Sequence, residues 1–500
     1  MLHEGYLQTY IVVHYKEPEK VEAEPSDLEE DASEADIAAY LQKHSITIDF
    51  GSGSQTSGSS NLKPIISFSQ ILPRIPSGLH STFDTFKEPT PIQACTWPPL
   101  LAGRDVVGIA ETGSGKTLAF GVPAISKLVG SSGGNGTFKA SKKTKGKKGS
   151  KSSVQILAVA PTRELAIQTH DTFSDLGKPF GLTSVAVFGG VDKGPQRLAL
   201  QEASAAMVVG TPGRILDLIN EGALDLSSVT FLVLDEADRM LDRGFENDIR
   251  KIIDHTAPSE QRQTLMFSAT WPEAVRRLAG SFQRNPVRVT VGSDDLTANS
   301  RVEQVVEVFD DVREKDSRLL KHMRNIKKNT FSDEEARTLV FVLYKREAPR
   351  VEQLLKRQGL RVAELHGDLS QSARMAALDD FKTGKTQVLV ATDVAARGLD
   401  IADVGTVINY TFPLTIEDYI HRIGRTGRGG KTGKSITFFT GDNHERALAG
   451  EYARVLREGG FDASALKKFP MTIKKKEHSV YGAFYRDDAP ANAAPTHMKF

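Results

Sequence analysis

An α/β architecture of two tandem, doubly wound parallel-sheet lobes, flanked by disordered tails, follows from three patterns in this 500-residue chain. Short runs of Val, Ile, Leu and Phe recur with almost no polar interruption. Longer amphipathic stretches alternate with them. The alternation breaks at a polar segment near residue 295 and then begins again. Near-continuous apolarity is what a strand covered on both faces requires, and regular strand–helix alternation resolves most simply into right-handed crossovers on a parallel sheet.

Residues 1–64 read as a disordered tail. Between Lys16 and Asp36 there are ten acidic residues against two lysines, and Gly51-Ser52-Gly53-Ser54 and Ser57-Gly58-Ser59-Ser60 have linker composition. The first lobe is expected over 65–295, with strands at Val106–Ile109, Ile156–Val159, Met207–Val209 and Phe231–Leu234. A Gly, Ser and Lys tract at about 130–153 interrupts it as a surface insert. Val291-Gly292-Ser293-Asp294-Asp295 is the candidate linker. The second lobe is expected over 305–460, with strands at Leu339–Val342, Val362–Leu365, Val388–Val390 and Val407–Asn409, and 461–500 reads as a C-terminal tail.

Hydrophobic content of 39% and charged content of 25% suit a soluble globular chain, and the apolar runs are too short for a membrane span. No basic stretch precedes an apolar core at the N-terminus, so a secretory signal is not expected. A single cysteine, Cys95, excludes an internal disulfide and a cysteine-based zinc cluster, and suits a reducing, intracellular compartment. Its expected fate is that of a small buried apolar residue. The net charge of +1 conceals segregation: seven lysines and no acid lie between Lys139 and Lys151. That run reads as a basic reach toward nucleic acid, a nuclear-localisation cluster or a solvated insertion without a role.

Three pieces carry chemistry. Ala110-Glu111-Thr112-Gly113-Ser114-Gly115-Lys116-Thr117 follows a strand and opens a helix, the order in which backbone N–H groups and a helix N-terminus cradle phosphate. Ala110 takes the place of the first glycine of the usual pattern. Lys116 is expected to reach the terminal phosphates and Thr117 to ligate magnesium. Asp235-Glu236-Ala237-Asp238 closes the Phe231–Leu234 strand, where α/β ligand sites lie. There Asp235 can hold Mg2+ and Glu236 can polarise the attacking water; a helix N-cap carboxylate is the plainer reading of the same tetrapeptide. Arg425 and Arg428 stand one helical turn apart and can serve as arginine fingers, or else form a solvated or nucleic-acid-binding face.

With these residues in hand, the chain from about 65 to 460 resembles the DEAD-box ATP-dependent RNA helicases of superfamily two, whose two lobes are RecA-like. The resemblance implies that Phe68 stacks on adenine, that Phe86 to Gln93 reads the base, and that Asp400 touches the ATP ribose. It implies RNA contacts from Pro161, Thr162, Arg163, Gly190, Thr211, Gly213 and Arg214 in the first lobe and from Gln371, Arg374 and Thr392 in the second. Asp238, Ser268, Thr270 and His421 would couple hydrolysis to unwinding. The least regular element is Phe341-Val342-Leu343-Tyr344-Lys345, which departs from the family's usual strand end. Ser268-Ala269-Thr270-Trp271-Pro272, with Lys474–His478 and Tyr481–Phe484, is similar to a fungal subgroup active in large-subunit pre-rRNA processing, although the acidic start departs from that subgroup's lysine-rich tail.

The expected activity is ATP hydrolysis coupled to local RNA unwinding or RNP remodelling, in ribosome biogenesis. ATP and Mg2+ are the expected cofactors. The partners are RNA, held largely by its backbone and expected to be pre-rRNA, and pre-ribosomal proteins. The location implied is the nucleus and nucleolus; a monomer without membrane association is expected. Backbone-dominated contact implies weak sequence preference and a logarithmic salt slope of about −0.7 per neutralised phosphate. The competing readings are a superfamily-two DNA translocase and a non-hydrolysing ATP-gated RNA clamp or scaffold.

Overall fold

A computed structural model describes residues 33–51, 62–111, 113–130, 154–202, 205–292, 301–329, 337–393, 404–427, 431–442 and 444–471. The first sheet has eight strands: β1 (Ile46–Asp49), β2 (Val106–Ile109), β3 (Ile156–Val159), β4 (Ser184–Val187), β5 (Met207–Gly210), β6 (Phe231–Leu234), β7 (Gln263–Ser268) and β8 (Val287–Val291). Their order is β1-β8-β2-β7-β6-β3-β5-β4. Every pairing is parallel except β1 with β8. The four expected strands of this lobe are all central and buried along their length, as double coverage by helices requires.

The second sheet contains β9 (Val302–Val308), β10 (Arg337–Val342), β11 (Val362–Leu365), β12 (Val388–Thr392), β13 (Val404–Asn409) and β14 (Gly433–Phe439), in the order β11-β12-β10-β13-β14-β9 and wholly parallel. Each lobe has apolar clusters on both faces of its sheet; Leu232 and Leu234 point into one cluster of the first lobe, and Phe231 and Val233 into the other. Each such side chain, fully removed from water, contributes roughly 1.5–3 kcal/mol.

The tail boundaries differ from expectation. Glu34–Lys43 is a helix, capped where the Ser33 side chain accepts from the Asp36 amide, and β1 follows it. Acidic composition hid a local pattern: Tyr40 and Leu41 on the helix and Ile46 and Ile48 on the strand pack against the first core, while the acids face outward. At the other end, Leu466 is buried and Phe469 packs edge-on to Phe439, with ring centres 5.2 Å apart, so the second lobe runs past residue 460. Residues 1–32, 52–61 and 472–500 of the tails, the Lys139–Lys151 run and Ser293–Asp295 of the candidate linker lie outside the described residues.

Candidate functional site

The loop after β2 and the acids after β6 meet at the C-terminal edge of the first sheet. Gly115 adopts φ +89°, and a Cβ there would come within 2.6 Å of the Gln93 side-chain nitrogen. The close approach has a purpose: Gln93 Nε2 donates to the Gly115 carbonyl at 3.1 Å, and its Oε1 accepts from the Thr90 amide at 3.0 Å. Gln93 therefore ties the start of the Pro91–Leu101 helix to the phosphate loop. Lys116 is buried and donates from Nζ to the Ala110 carbonyl at 2.7 Å and the Glu111 carbonyl at 2.9 Å. Burial lowers its pKa, opposed by the carboxylates of Asp235, Glu236, Asp238 and Glu111.

Asp235 is buried, and its Oδ1 accepts from the Glu236 amide at 3.0 Å. Burial first, then the neighbouring Glu236 charge, push its carboxyl up to about 7 against the pull of Lys116. A buried carboxylate beside a second acid suits a divalent cation, and Ser114 adds a buried hydroxyl that has no hydrogen-bond partner among the described residues. Asp235, Thr117 and the loop thus fit Mg2+ with bound phosphates. Glu236 sits at φ +50°, the left-handed region that a residue with a Cβ occupies only under strain, and its side chain makes no capping bond. The N-cap reading of this tetrapeptide is set aside: neither acid caps the helix Ala237–Asp242.

Asp238 links both lobes. Its Oδ2 accepts from the Thr270 amide at 3.1 Å and the Thr270 hydroxyl at 2.8 Å, and its own amide donates to Ser268 Oγ at 3.3 Å. His421 Nε2 of the second lobe lies 3.9 Å from the same carboxylate oxygen. Arg425 is buried but not helical, because the helix Ile416–Ile423 ends before it; its Nε donates back to the His421 carbonyl at 3.2 Å. The expected shared helical face of Arg425 and Arg428 is therefore not formed by that helix. Arg428, Thr112 and Asp400 lie outside the described residues.

Phe68 stacks on Phe83 at 4.7 Å and is half-buried, while Phe86 is exposed. The expected RNA-contact residues divide into two groups. Arg163 Nη1 donates to Gln371 Oε1 at 2.5 Å, and Arg374 Nη2 lies 2.7 Å from Glu164 Oε1, so both pairs cross between lobes. Thr162 caps the helix Arg163–Gly177, after Pro161, by accepting from the Leu165 amide. Gly190 adopts φ +81°, and a Cβ on it would come within 3.0 Å of the Arg163 guanidinium. Thr392 is buried at the end of β12. Arg214 instead turns inward, buried and donating to Gln196 Oε1 and the Val191 carbonyl at 3.0 and 2.8 Å, near the start of the helix Pro212–Asn220 that holds Gly213 and that Thr211 precedes.

Four more residues belong to this arrangement: Arg239 and Asp418, which the sequence did not single out, and Arg422 and Asp393, which it offered only as motif neighbours of His421 and Thr392 with no role of their own. Arg239 Nη1 donates to Asp418 Oδ1 at 2.9 Å across the lobes. Arg422, fully buried, grips Asp393 through two bonds of 2.6 Å, donates to the Thr411 carbonyl at 2.6 Å, and lies over the Phe341 ring at 5.1 Å. Only Asp393, which follows the apolar run Val388–Ala391, gave a signal, a charge that needs a partner when buried; Arg239 and Asp418 lie among other charges.

The DEAD/DEAH box helicase family profile matches residues 90–278, and the helicase conserved C-terminal domain profile matches residues 314–430. The ATP-dependent RNA helicase DBP3 of Cryptococcus neoformans is 57% identical over 430 residues, spanning 85% of this chain and 70% of that protein. DBP3 of Kluyveromyces lactis is 51% identical, over 91% of this chain and 84% of its own. Among solved structures, the DEAD-box helicase Mss116 bound to ssRNA and UDP-BeF is similar with a TM-score of 0.67 at 27% identity, covering 78% of this chain and 77% of Mss116.

Proposed function

From the premise that this chain belongs to the DEAD-box ATP-dependent RNA helicases, and so hydrolyses ATP and acts on RNA, we propose that its ATP site is completed only when the two lobes close on RNA. The observation that carries this reading is Asp238, which accepts from Thr270 in its own lobe and faces His421 of the other at 3.9 Å. A carboxylate shared in this way can relay the state of the nucleotide to the lobe interface.

In this reading the loop from Ala110 to Thr117 holds the triphosphate, and Lys116 leaves the Ala110 and Glu111 carbonyls for the terminal phosphates. Phe68 stacks on adenine, Gln93 at the end of the Phe86–Gln93 segment hydrogen-bonds the base, and Asp400 holds the ribose. Thr117 and Asp235 hold Mg2+, which neutralises charge on the phosphates when bound. Glu236 takes the proton of the attacking water, and Arg425 and Arg428 stabilise the transferring phosphoryl group. Pro161, Thr162, Arg163, Gly190, Thr211 and Gly213 and, from the second lobe, Gln371, Arg374 and Thr392 line the RNA path; Arg214 braces it.

Closure bends one strand of a short duplex and expels its partner, and hydrolysis reopens the lobes. Similarity to two fungal DBP3 proteins supports a cellular task in 60S-subunit pre-rRNA processing, in the nucleolus beside pre-ribosomal proteins. The deciding assay is ATP turnover with single-stranded RNA, duplex RNA and DNA of equal length. RNA-specific stimulation is expected. Equal stimulation by DNA would favour a DNA translocase, and RNA binding without turnover a clamp. RNA crosslinking in cells, mapped by sequencing, tests the pre-rRNA assignment.

A further inference from the structure

The turn that carries Gly189 and Gly190 is held by a side chain that the RNA path itself does not include. Strand β4 ends at Val187, at the edge of its sheet beside β5. Just past it, Phe188 has both backbone groups taken by one residue. Its amide donates to Gln196 Oε1 at 3.1 Å, and its carbonyl accepts from Gln196 Nε2 at 3.1 Å. A primary amide matches a peptide group in this way because it offers an acceptor and a donor side by side. Gln196 stands in the first turn of the helix Gly194–Glu202 and is buried; Leu200, one helical turn on, enters the core from the same face.

The same Oε1 also accepts from Arg214 Nη1 at 3.0 Å, while Arg214 Nη2 donates to the Val191 carbonyl at 2.8 Å. Gln196 and Arg214 therefore grip the turn at Phe188 and at Val191, with Gly189 and Gly190 between. The Gly189 amide donates to Thr211 Oγ1 at 3.4 Å, which joins the turn after β4 to the chain after β5. What the turn presents is Gly190, at φ +81° and so near the Arg163 guanidinium that a Cβ would come within 3.0 Å of it. A small shift at Phe188 or Val191 changes that contact.

We infer that Gln196 is a positioning residue for RNA engagement, holding the Phe188–Val191 turn and Arg214 in one shape before RNA arrives. This rests on the RNA path proposed above. In that path Gln196 touches neither RNA nor nucleotide and acts through Gly190 and Arg163. Ordering the turn during folding spares that cost on binding, so loss of Gln196 weakens RNA affinity and leaves the ATP chemistry intact.

The test is RNA-stimulated ATP turnover of the full chain, with single-stranded RNA titrated at saturating ATP. Gln196→Met keeps the length and burial of the side chain and removes every hydrogen bond of the amide. It should raise the half-saturating RNA concentration about tenfold, with kcat at saturating RNA and nucleotide affinity without RNA both within about twofold of wild type. In a Gly190→Ala background, where Arg163 is already displaced, Gln196→Met should add much less than it does alone, because both changes act on one contact. Gln196→Glu keeps the bonds accepted from Phe188 and Arg214, and it keeps the test readable should Gln196→Met lower the unfolding midpoint. It should raise the RNA requirement by a smaller factor, about threefold. A wild-type RNA requirement in either variant when folded, a fall in kcat alone, or full additivity with Gly190→Ala would overturn the positioning role. Absence of RNA stimulation in the wild-type chain would instead overturn the RNA path, and this inference with it.

Discussion

Arg239 and Asp418, 179 residues apart, meet between the two lobes with Nη1 and Oδ1 2.9 Å apart and both side chains almost wholly buried. Burial works against the guanidinium charge, yet the carboxylates of Asp238, Asp418 and Asp242 hold its pKa above the ordinary value. Removing one partner of a buried pair costs about 3–5 kcal/mol because a charge is left uncompensated, and in separated lobes both groups would reach water. Asp418→Ala should therefore raise the RNA concentration for half-maximal ATPase by tenfold or more, roughly 1.4 kcal/mol. Asp242, the exposed second partner of Arg239 at 3.1 Å, belongs to a class of contact worth roughly 0–1 kcal/mol. Asp242→Ala in the same titration should shift the midpoint little.

Glu236→Gln removes the proposed proton acceptor and leaves the strained backbone and the phosphate loop in place. ATP turnover should fall by roughly two orders of magnitude or more, the scale of general-base catalysis. ATP-dependent retention of single-stranded RNA should persist, measured by RNA dissociation after dilution. Normal turnover in this variant would reassign the carboxylate.

Gly190→Ala places a Cβ within 3.0 Å of the Arg163 guanidinium at a backbone with φ +81°. Both effects push Arg163 away from Gln371. RNA affinity should drop severalfold while ATP binding without RNA is unchanged, read by anisotropy with labelled RNA and labelled nucleotide in parallel.

Glu307 supplies a pH dependence separate from catalysis. Burial raises its pKa, but the hydrogen bond from His322 at 2.8 Å and the nearby charge of Arg318 outweigh burial and hold it below the ordinary value. A depressed carboxylate stabilises the fold above its unfolded pKa and loses that contribution as pH falls through the folded one. Glu307→Gln should therefore be less stable than wild type near pH 7, and the difference should shrink as pH falls below the unfolded carboxyl value of about 4.3 and vanish once it passes the lower folded one. Urea unfolding at a series of pH values checks this.

The strands were legible because burial on both faces demands apolar runs, and the phosphate loop and Asp235–Asp238 because their chemistry tolerates few residue types at fixed spacing. The contacts between lobes were not. Glu164, Arg239 and Asp418 are ordinary charges along the chain, and only the folded arrangement turns them into buried partners. Helix 34–43 and β1 were hidden for another reason: charge averaged over the acidic stretch masked the alternation of Ile46 and Ile48. Arg425 shows the limit of spacing, since a three-residue interval implies a shared face only while the helix continues, and this one ends at Ile423.

Closure of the lobes on ATP and RNA together is tested most directly by the distance between them. Fluorophores at cysteines introduced at exposed Leu198 and Val312, with the sole native cysteine, Cys95, buried, would report energy transfer in the full chain. Transfer should change to a single new level only when an ATP analogue and single-stranded RNA are both present, and should revert with ADP. The same change with ATP analogue alone, or no change with both ligands, would contradict a site completed by RNA-dependent closure.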